Sequence, residues 1–434
     1  MDFKNYLVPG KTGLLIGIGG VSMSPLAEVL HDAGLDIRGS DMAESSNTLT
    51  LRERGIPIHI GHSADNVTDD ISFVIRTAAV HDDNPEVHEA HRRGIPVFER
   101  TQAWGALMRG YQNALCISGT HGKTTTTSMC THIMMAAEKD PTVMIGGTLP
   151  LLKACHRVGK GNTIIMESCE YYNSFLALNP TIAVVLNIEA DHLDFFKDLE
   201  DIKHSFRCFA ERVPAETGTV LANYDDANTM DALRGIARKV ITFGLNAKAD
   251  VYAQNIVHRG SVSEFDIYHR GNYFARVTLH VPGIHNVRNA LAATAAAIVL
   301  GVSPNAVKYG LAGFEGAGRR FDFKGKFQGA DLYDDYAHHP SELRALLDAV
   351  DTLNYQRTIV VFQPHTYSRT AKLFNDFVEQ LRRPTIVYLA EIYAAREKNT
   401  IGISSADLAA QIPGAKFYPT FAEIERELRR IARP

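Results

Sequence analysis

Short apolar runs that end in glycine-rich turns recur along the chain, and longer stretches with helical spacing lie between them. Leu14-Leu15-Ile16 runs into Gly17-Ile18-Gly19-Gly20, and Ala114-Leu115-Cys116-Ile117 runs into Ser118-Gly119-Thr120-His121-Gly122. A third run, Asp331-Leu332-Tyr333, leads into Asp334-Asp335-Tyr336. Strands alternating with helices predict α/β architecture with mainly parallel sheets. In the first block the pattern predicts a helix over 25–33, a strand at 36–38, a strand at 73–75, a helix over 85–93 and a closing strand at 95–98. In the middle block it predicts strands at 163–166 and 182–186 and an alanine-rich helix over 286–300. Runs at 265–269 and 274–281 flank Arg270-Gly271-Asn272, a hairpin signal. The last block gives strands at 358–362, 385–389 and 416–418, and helices over 341–350, 370–381, 404–411 and 421–431.

Length turns this alternation into domains. The chain has 434 residues. At roughly 150 residues per domain that is about three domains, and single cores stop growing near ~250–300 residues. The polar stretch Arg109-Gly110-Tyr111-Gln112-Asn113 marks the first boundary. The expected division is residues 1–105, 106–315 and 316–434.

Composition narrows the class. Hydrophobic residues at 45% and charged residues at 22% exclude a disordered chain, a collagen-like fibre and a disulfide-rich miniprotein. A net charge of −4 excludes a broadly basic nucleic-acid binder. The five cysteines are odd in number and contain no CxxC pair, so neither a zinc site nor a disulfide framework is expected. The N-terminal MDFKNYLVPGK lacks an apolar signal core, and no run reaches about 18 apolar residues. A soluble cytoplasmic protein acting on small molecules is expected, with neither nucleic acid nor membrane as partner.

The strongest local signal is Gly119-Thr120-His121-Gly122-Lys123-Thr124-Thr125, between a strand and a helical pattern over 126–137. Such a loop converges backbone N–H groups on phosphate oxygens at a helix N-terminus. Lys123 would face the β/γ-phosphates and the Thr124 hydroxyl would coordinate Mg²⁺. Ile117 stands where the first glycine of GxxxxGKT would fall. Glu167 and Asp191-His192 follow two later strands, and residues beyond parallel strand ends share a crevice. Glu167 and His192 could complete a metal site beside Thr124. His192 could equally cap a helix, and Glu170 is either a second acid or a surface residue. At the N-terminus, Gly17, Gly19, Gly20, Ser22 and Asp41 lie about a second glycine-rich turn that suits an anion at a helix N-terminus. A dinucleotide site with Asp41 on a ribose is the weaker reading, because no hydride-transfer constellation accompanies it.

Taken in order, these segments resemble the Mur ligases, which build the peptide stem of bacterial cell-wall precursors. The likeness includes Gly17 to Ser24, Gly39-Ser40-Asp41, Asp83 to Glu86, Gly119 to Thr125, Glu167, Asn187 to Asp194 and Gly283 to Ala290. It continues through Gly318 to Asp322, Asp335 to Pro340 and Phe362 to Thr370. It implies three domains: a Rossmann-like UDP-sugar domain, a P-loop ATPase-like central domain and a Rossmann-like C-terminal domain on the amino-acid side. It also implies roles. Gly119 to Thr125 would cradle ATP. Thr124, Glu167 and His192 resemble the family's magnesium ligands. Asn286 and Asn289 resemble its adenine-side residues, Arg320 the arginine reaching the nucleotide and Asp335 the acid on the ribose. His338, His365 and Arg369 look like the positions meeting the sugar carboxylate and incoming amino acid, with His338 either the base or a positioning group.

The resemblance implies ATP and Mg²⁺, and ligation of L-alanine to the carboxylate of UDP-N-acetylmuramate through an acyl phosphate, by a monomer or homodimer. The alternatives are a sister ligase adding another amino acid or a recovered peptide, and an ATP-dependent binding protein without ligation. The chain departs from the family's pattern at several places, and Glu167-Ser168-Cys169-Glu170-Tyr171-Tyr172 stands where many relatives have a more acidic segment. Ser22 and Pro25 replace common glycines, and Thr366 stands where some members have an arginine. No residue matches the carbamylated lysine of some relatives; Lys203 is only nearby.

Overall fold

A computed structural model describes residues 2–77, 79–395 and 397–434. The first sheet is parallel and five-stranded, in the order Ile58–Ile60, Asp36–Asp41, Thr12–Ile16, Ile71–Arg76, Val97–Glu99. Its central strand is buried at every position, which explains its uninterrupted apolar run. The helices Ser24–Asp32 and Pro85–Arg92 stand where the spacing predicts them. Asp41 is the last residue of its strand rather than the first beyond it.

The second sheet has ten strands. Its parallel heart places Thr219–Asn223, Ile182–Val185, Asn113–Ser118 and Thr163–Glu167 side by side. Three strands extend one flank antiparallel, ending in the expected hairpin between Val262–His269 and Asn272–Leu279. The alanine-rich helix Ile284–Val299 packs against the phosphate-loop helix Lys123–Ala136, and its small side chains are buried along most of its length. The strands Thr219–Asn223 and Lys239–Gly244 and the helix Leu199–Ala210 were not predicted from the pattern.

The last block corrects two expectations. The run at Asp331-Leu332-Tyr333 does not open a parallel sheet. It belongs to Ala330–Asp334, paired antiparallel with Asp322–Phe327 in a separate two-stranded sheet. Gln328 and Gly329 turn the chain with φ +51° and +86°. Positive φ at both central turn residues joins antiparallel strands tightly. The helix expected over 370–381 is two helices, Tyr367–Lys372 and Phe374–Leu381, because Leu373 between them leaves the helical region at φ −106°, ψ 24°. A three-stranded parallel sheet, Ile359–Phe362, Ile386–Leu389 and Lys416–Phe417, completes the block. All five cysteines are free thiols. No described helix is long and apolar enough to cross a membrane.

Candidate active site

The phosphate loop lies between the buried strand Asn113–Ser118 and the helix Lys123–Ala136. Gly122 caps that helix at φ +85° and contributes no side-chain cap, so the first-turn N–H groups are left for a ligand or water. A Cβ there would lie 2.7 Å from Asn289 Oδ1. Asn187 stitches the loop to the next strand: its backbone carbonyl accepts from Thr120 N at 3.0 Å, and its Oδ1 accepts from His121 N at 2.8 Å.

Lys123 is held from several sides. Its ammonium donates to the carbonyls of Gly119 and Thr120 and pairs with Glu170 at 3.0 Å. Burial opposes its charge, but Glu170 more than compensates and raises its pKa. Glu170 is therefore no surface residue: its side chain is only 3% exposed, and His192 Nε2 approaches its other oxygen at 3.6 Å. The +3 spacing from Glu167 was the one sequence signal for it.

Thr124 and Glu167 are brought together, as a shared cation requires. Thr124 Oγ1 donates to Glu167 Oε1 at 2.9 Å, and Gly146 N donates to Glu167 Oε2 at 2.6 Å. Hydroxyl and carboxylate oxygens fit a hard cation such as Mg²⁺. His192 makes its contacts a step away, with Glu170, Asp191 and the stacked ring of Tyr171 at 4.3 Å.

Asn286, Asn289, Arg320 and Asp335 line one cavity of about 430 Å³ together with His121, Gly122 and Thr125. Pockets of about 300–1,000 Å³ suit small ligands of nucleotide size. Asn286 Nδ2 donates to Pro282 O at 2.7 Å, and Asn289 Nδ2 to Asn286 Oδ1 at 3.2 Å. The Asp335 carboxylate accepts from Phe321 N at 2.8 Å and Ala337 N at 2.7 Å, while burial pushes its pKa up.

His338, His365 and Arg369 form a cluster on the third domain's edge. The His338 and His365 rings are 5.7 Å apart. Arg369 crosses to the central domain, donating to Asp191 through Nε at 3.1 Å and Nη2 at 2.8 Å. Its Nη1 donates to His365 Nδ1 at 3.0 Å. Both partners of the Arg369–Asp191 pair are nearly buried, so the guanidinium acts first as a strut between domains. Burial, with Arg369 beside it, lowers the His365 pKa to about 4.

In the first domain, Gly19 N donates to Asp41 Oδ2 at 2.8 Å, and Gly17 N bonds Ser40 O at 2.8 Å. Ser22 is not idle where a glycine is usual. Its hydroxyl accepts from Arg100, and its carbonyl accepts from the buried Trp104 indole at 3.2 Å. Lys203 pairs with Glu200 and Asp231, and so is engaged away from Glu167 and Thr124.

A phosphate loop at the mouth of a parallel sheet, with a further domain lying over the cavity beside it, defines a phosphate-loop protein closed by a separate domain. Family models place it further. The model described as "Mur ligase family, catalytic domain" matches residues 15–112, "Mur ligase middle domain" residues 117–297, and "Mur ligase, glutamate ligase domain" residues 319–434. A UDP-N-acetylmuramate–L-alanine ligase of Agathobacter rectalis is 46% identical over 95% of this chain and 91% of its own. The solved UDP-N-acetylmuramate–alanine ligase of Thermotoga maritima superposes with a TM-score of 0.77 at 29% identity, covering 96% of this chain and 92% of that one. A UDP-N-acetylmuramate:L-alanyl-γ-D-glutamyl-meso-diaminopimelate ligase from Neisseria meningitides matches at TM-score 0.64 and 26% identity, covering 71% of this chain and 99% of that one. The chain belongs to the Mur ligase family and is an ATP-dependent ligase.

Proposed function

We propose that this Mur ligase joins L-alanine to the carboxylate of UDP-N-acetylmuramate, with ATP as co-substrate, through an acyl phosphate. The observation that carries the reading is the 46% identity, over nearly the whole of both chains, to a relative of that named activity. The geometry supports it. We assign the nucleotide to the cavity bounded by Asn286, Asn289, Arg320 and Asp335, its phosphates to Gly119–Thr125, and the UDP-sugar to Gly17, Gly19, Gly20, Ser22 and Asp41. The domain division at 1–105, 106–315 and 316–434 belongs to the same proposal. Thr124 and Glu167, with His192 nearby, would hold Mg²⁺, which would screen phosphoryl charge.

The chain's own groups have distinct tasks. Lys123 and the loop amides would offset charge on the transferring phosphoryl group. His338 would then accept the proton of the alanine ammonium. Its Nδ1–H donates to Tyr336 O at 2.8 Å, which leaves Nε2 as the acceptor. Burial, aided by Arg369, lowers the His338 pKa below the ordinary 6.5 despite Glu342. The neutral base is thus present at neutral pH and is lost only as pH falls through that lowered pKa. The acid limb of kcat/KM is expected below pH 6.5. A pH–rate profile of His338→Gln should lack that limb; an unchanged limb would remove His338 as the base.

Arg369→Lys should lower kcat about tenfold, because one ammonium cannot span both Asp191 and His365 as the guanidinium does. Steady-state kinetics with varied L-alanine would check this; full activity would mean that a point charge suffices.

The activity itself is tested by phosphate release from ATP and UDP-N-acetylmuramate, with and without L-alanine, and by the product mass. Alanine-dependent release and a product one alanyl residue heavier is the expected result. Release that ignores alanine but follows a peptide would move the assignment to the sister activity.

A further inference from the structure

His121 sits inside the phosphate loop, yet its side chain leaves the loop and meets the third domain. Its Nε2 lies 2.9 Å from Ser341 Oγ, and its Nδ1 lies 3.2 Å from Glu342 Oε1. The Ser341 hydroxyl donates to Glu189 Oε2 at 2.6 Å, so it can only accept from His121. Both ring nitrogens therefore face acceptors, and the ring is an imidazolium. The same conclusion follows from its electrostatics: burial disfavours the charge, but Glu189 and Glu342 raise the pKa to about 9.

Glu342 carries the contact onward. Its carboxylate accepts from the backbone of His338 at 2.9 Å and of His339 at 3.2 Å, and it lies 3.3 Å from His338 Nδ1 and 3.9 Å from Arg320. It also completes a capping box at the start of the helix Pro340–Asp351. One carboxylate thus joins the phosphate-loop histidine to the turn that bears His338.

We propose that His121 is a positioning residue: its cationic ring latches the phosphate loop to Ser341 and Glu342 and thereby sets both the seating of the third domain and the placement of His338. The coupling to His338 rests on the ligase reading above; the latch itself does not. The ligand-forming atoms of His121, Glu189 and His339 also lie within 4.8 Å of one another. The Ser341 hydroxyl fills the space among them, at 2.9 Å from His121, 2.6 Å from Glu189 and 2.7 Å from His339. A latch explains that serine, whereas a metal would have to displace it.

Two variants test the proposal. His121→Gln removes the charge and one donor, and Ser341→Ala removes the bridging hydroxyl with little change of volume. Small-angle scattering of the nucleotide-free chain should give a larger radius of gyration for both than for the parent. An unchanged radius would overturn the latch whatever the enzyme's substrate. In the ligase assay both variants should lose about tenfold in kcat, the scale of one charge-assisted hydrogen bond, with the calorimetric affinity of Ser341→Ala for an ATP analogue within about twofold of the parent. Loss of nucleotide affinity by Ser341→Ala in parallel with kcat would overturn the positioning role.

The pH profile adds a signature that a purely structural role lacks. The titratable and charged groups facing His338 are Glu342 and Asp191, which favour its protonation, Arg369, which opposes it, and the rings of His365 at 5.7 Å and Tyr336 at 5.1 Å. Without the His121 cation, Glu342 is less compensated, so the acid limb should move to higher pH in His121→Gln but much less in Ser341→Ala. An identical limb in both would overturn the coupling to His338. A parent without alanine-dependent turnover would instead fail the ligase reading, and the scattering result would still judge the latch.

Discussion

Lys123→Met should lower kcat by about 10³-fold, the scale seen when a preorganised group facing a developing oxyanion is removed. The structure also predicts a second consequence. The lysine ammonium is the near partner of Glu170, whose side chain is 3% exposed, at 3.0 Å. Methionine fills the volume of the stem but leaves that carboxylate, among the described residues, facing the His192 ring at 3.6 Å in place of its cation. Breaking a buried pair by removing one partner costs about 3–5 kcal/mol. Thermal unfolding should therefore fall with the activity. Adding Glu170→Gln should recover much of the stability and none of the rate, since the stranded charge is gone while the phosphate site stays empty of its cation. Phosphate release and a melting curve on the parent, the single variant and the double variant would check this. A single variant with full stability would mean that Glu170 takes up a proton at little cost, and retained turnover would remove Lys123 from the chemistry.

The pair also shows where sequence reading stops. Lys123, Thr124 and Glu167 were legible because strand, glycine turn and helix are contiguous and their chemistry is local. Glu170 stayed ambiguous because spacing alone does not say which way a side chain faces after a strand. Glu170 stands at the head of the segment Tyr171–Ala177, where Tyr172 and Asn173 take φ near +54°, a backbone course that no spacing announces. The contacts of Ser341 with His121 and Glu189 span 220 and 152 residues of sequence, so no local pattern announces them. The parallel strands Thr12–Ile16, Asn113–Ser118, Thr163–Glu167 and Ile182–Val185 were legible as apolar runs, whereas Thr219–Asn223, equally buried, was not. The hairpin Asp322–Phe327 with Ala330–Asp334 was misread because its second strand carries the same apolar signal, and the turn at Gln328-Gly329 decides its direction.

At the cation site, shape and charge can be separated. Glu167 accepts from the Thr124 hydroxyl at 2.9 Å and from Gly146 N at 2.6 Å. A Cβ at Gly146 would lie 2.6 Å from its Oε1, so the carboxylate fits against a bare backbone. Glutamine can keep this arrangement: its carbonyl oxygen would accept from Gly146 N, and its amide would donate to Thr124 Oγ1. The fold at the strand end should therefore survive Glu167→Gln, with a melting temperature close to that of the parent. What is lost is an anionic oxygen, which a hard divalent cation requires more than a neutral amide. The expected result is a fall in kcat of about 10²-fold at ordinary Mg²⁺, with the magnesium concentration for half-maximal rate shifted upward and part of the rate recovered at high Mg²⁺. A magnesium titration of phosphate release separates this from a packing defect. A lower rate at an unchanged magnesium midpoint would remove Glu167 from the cation site and leave it as a brace between Thr124 and Gly146.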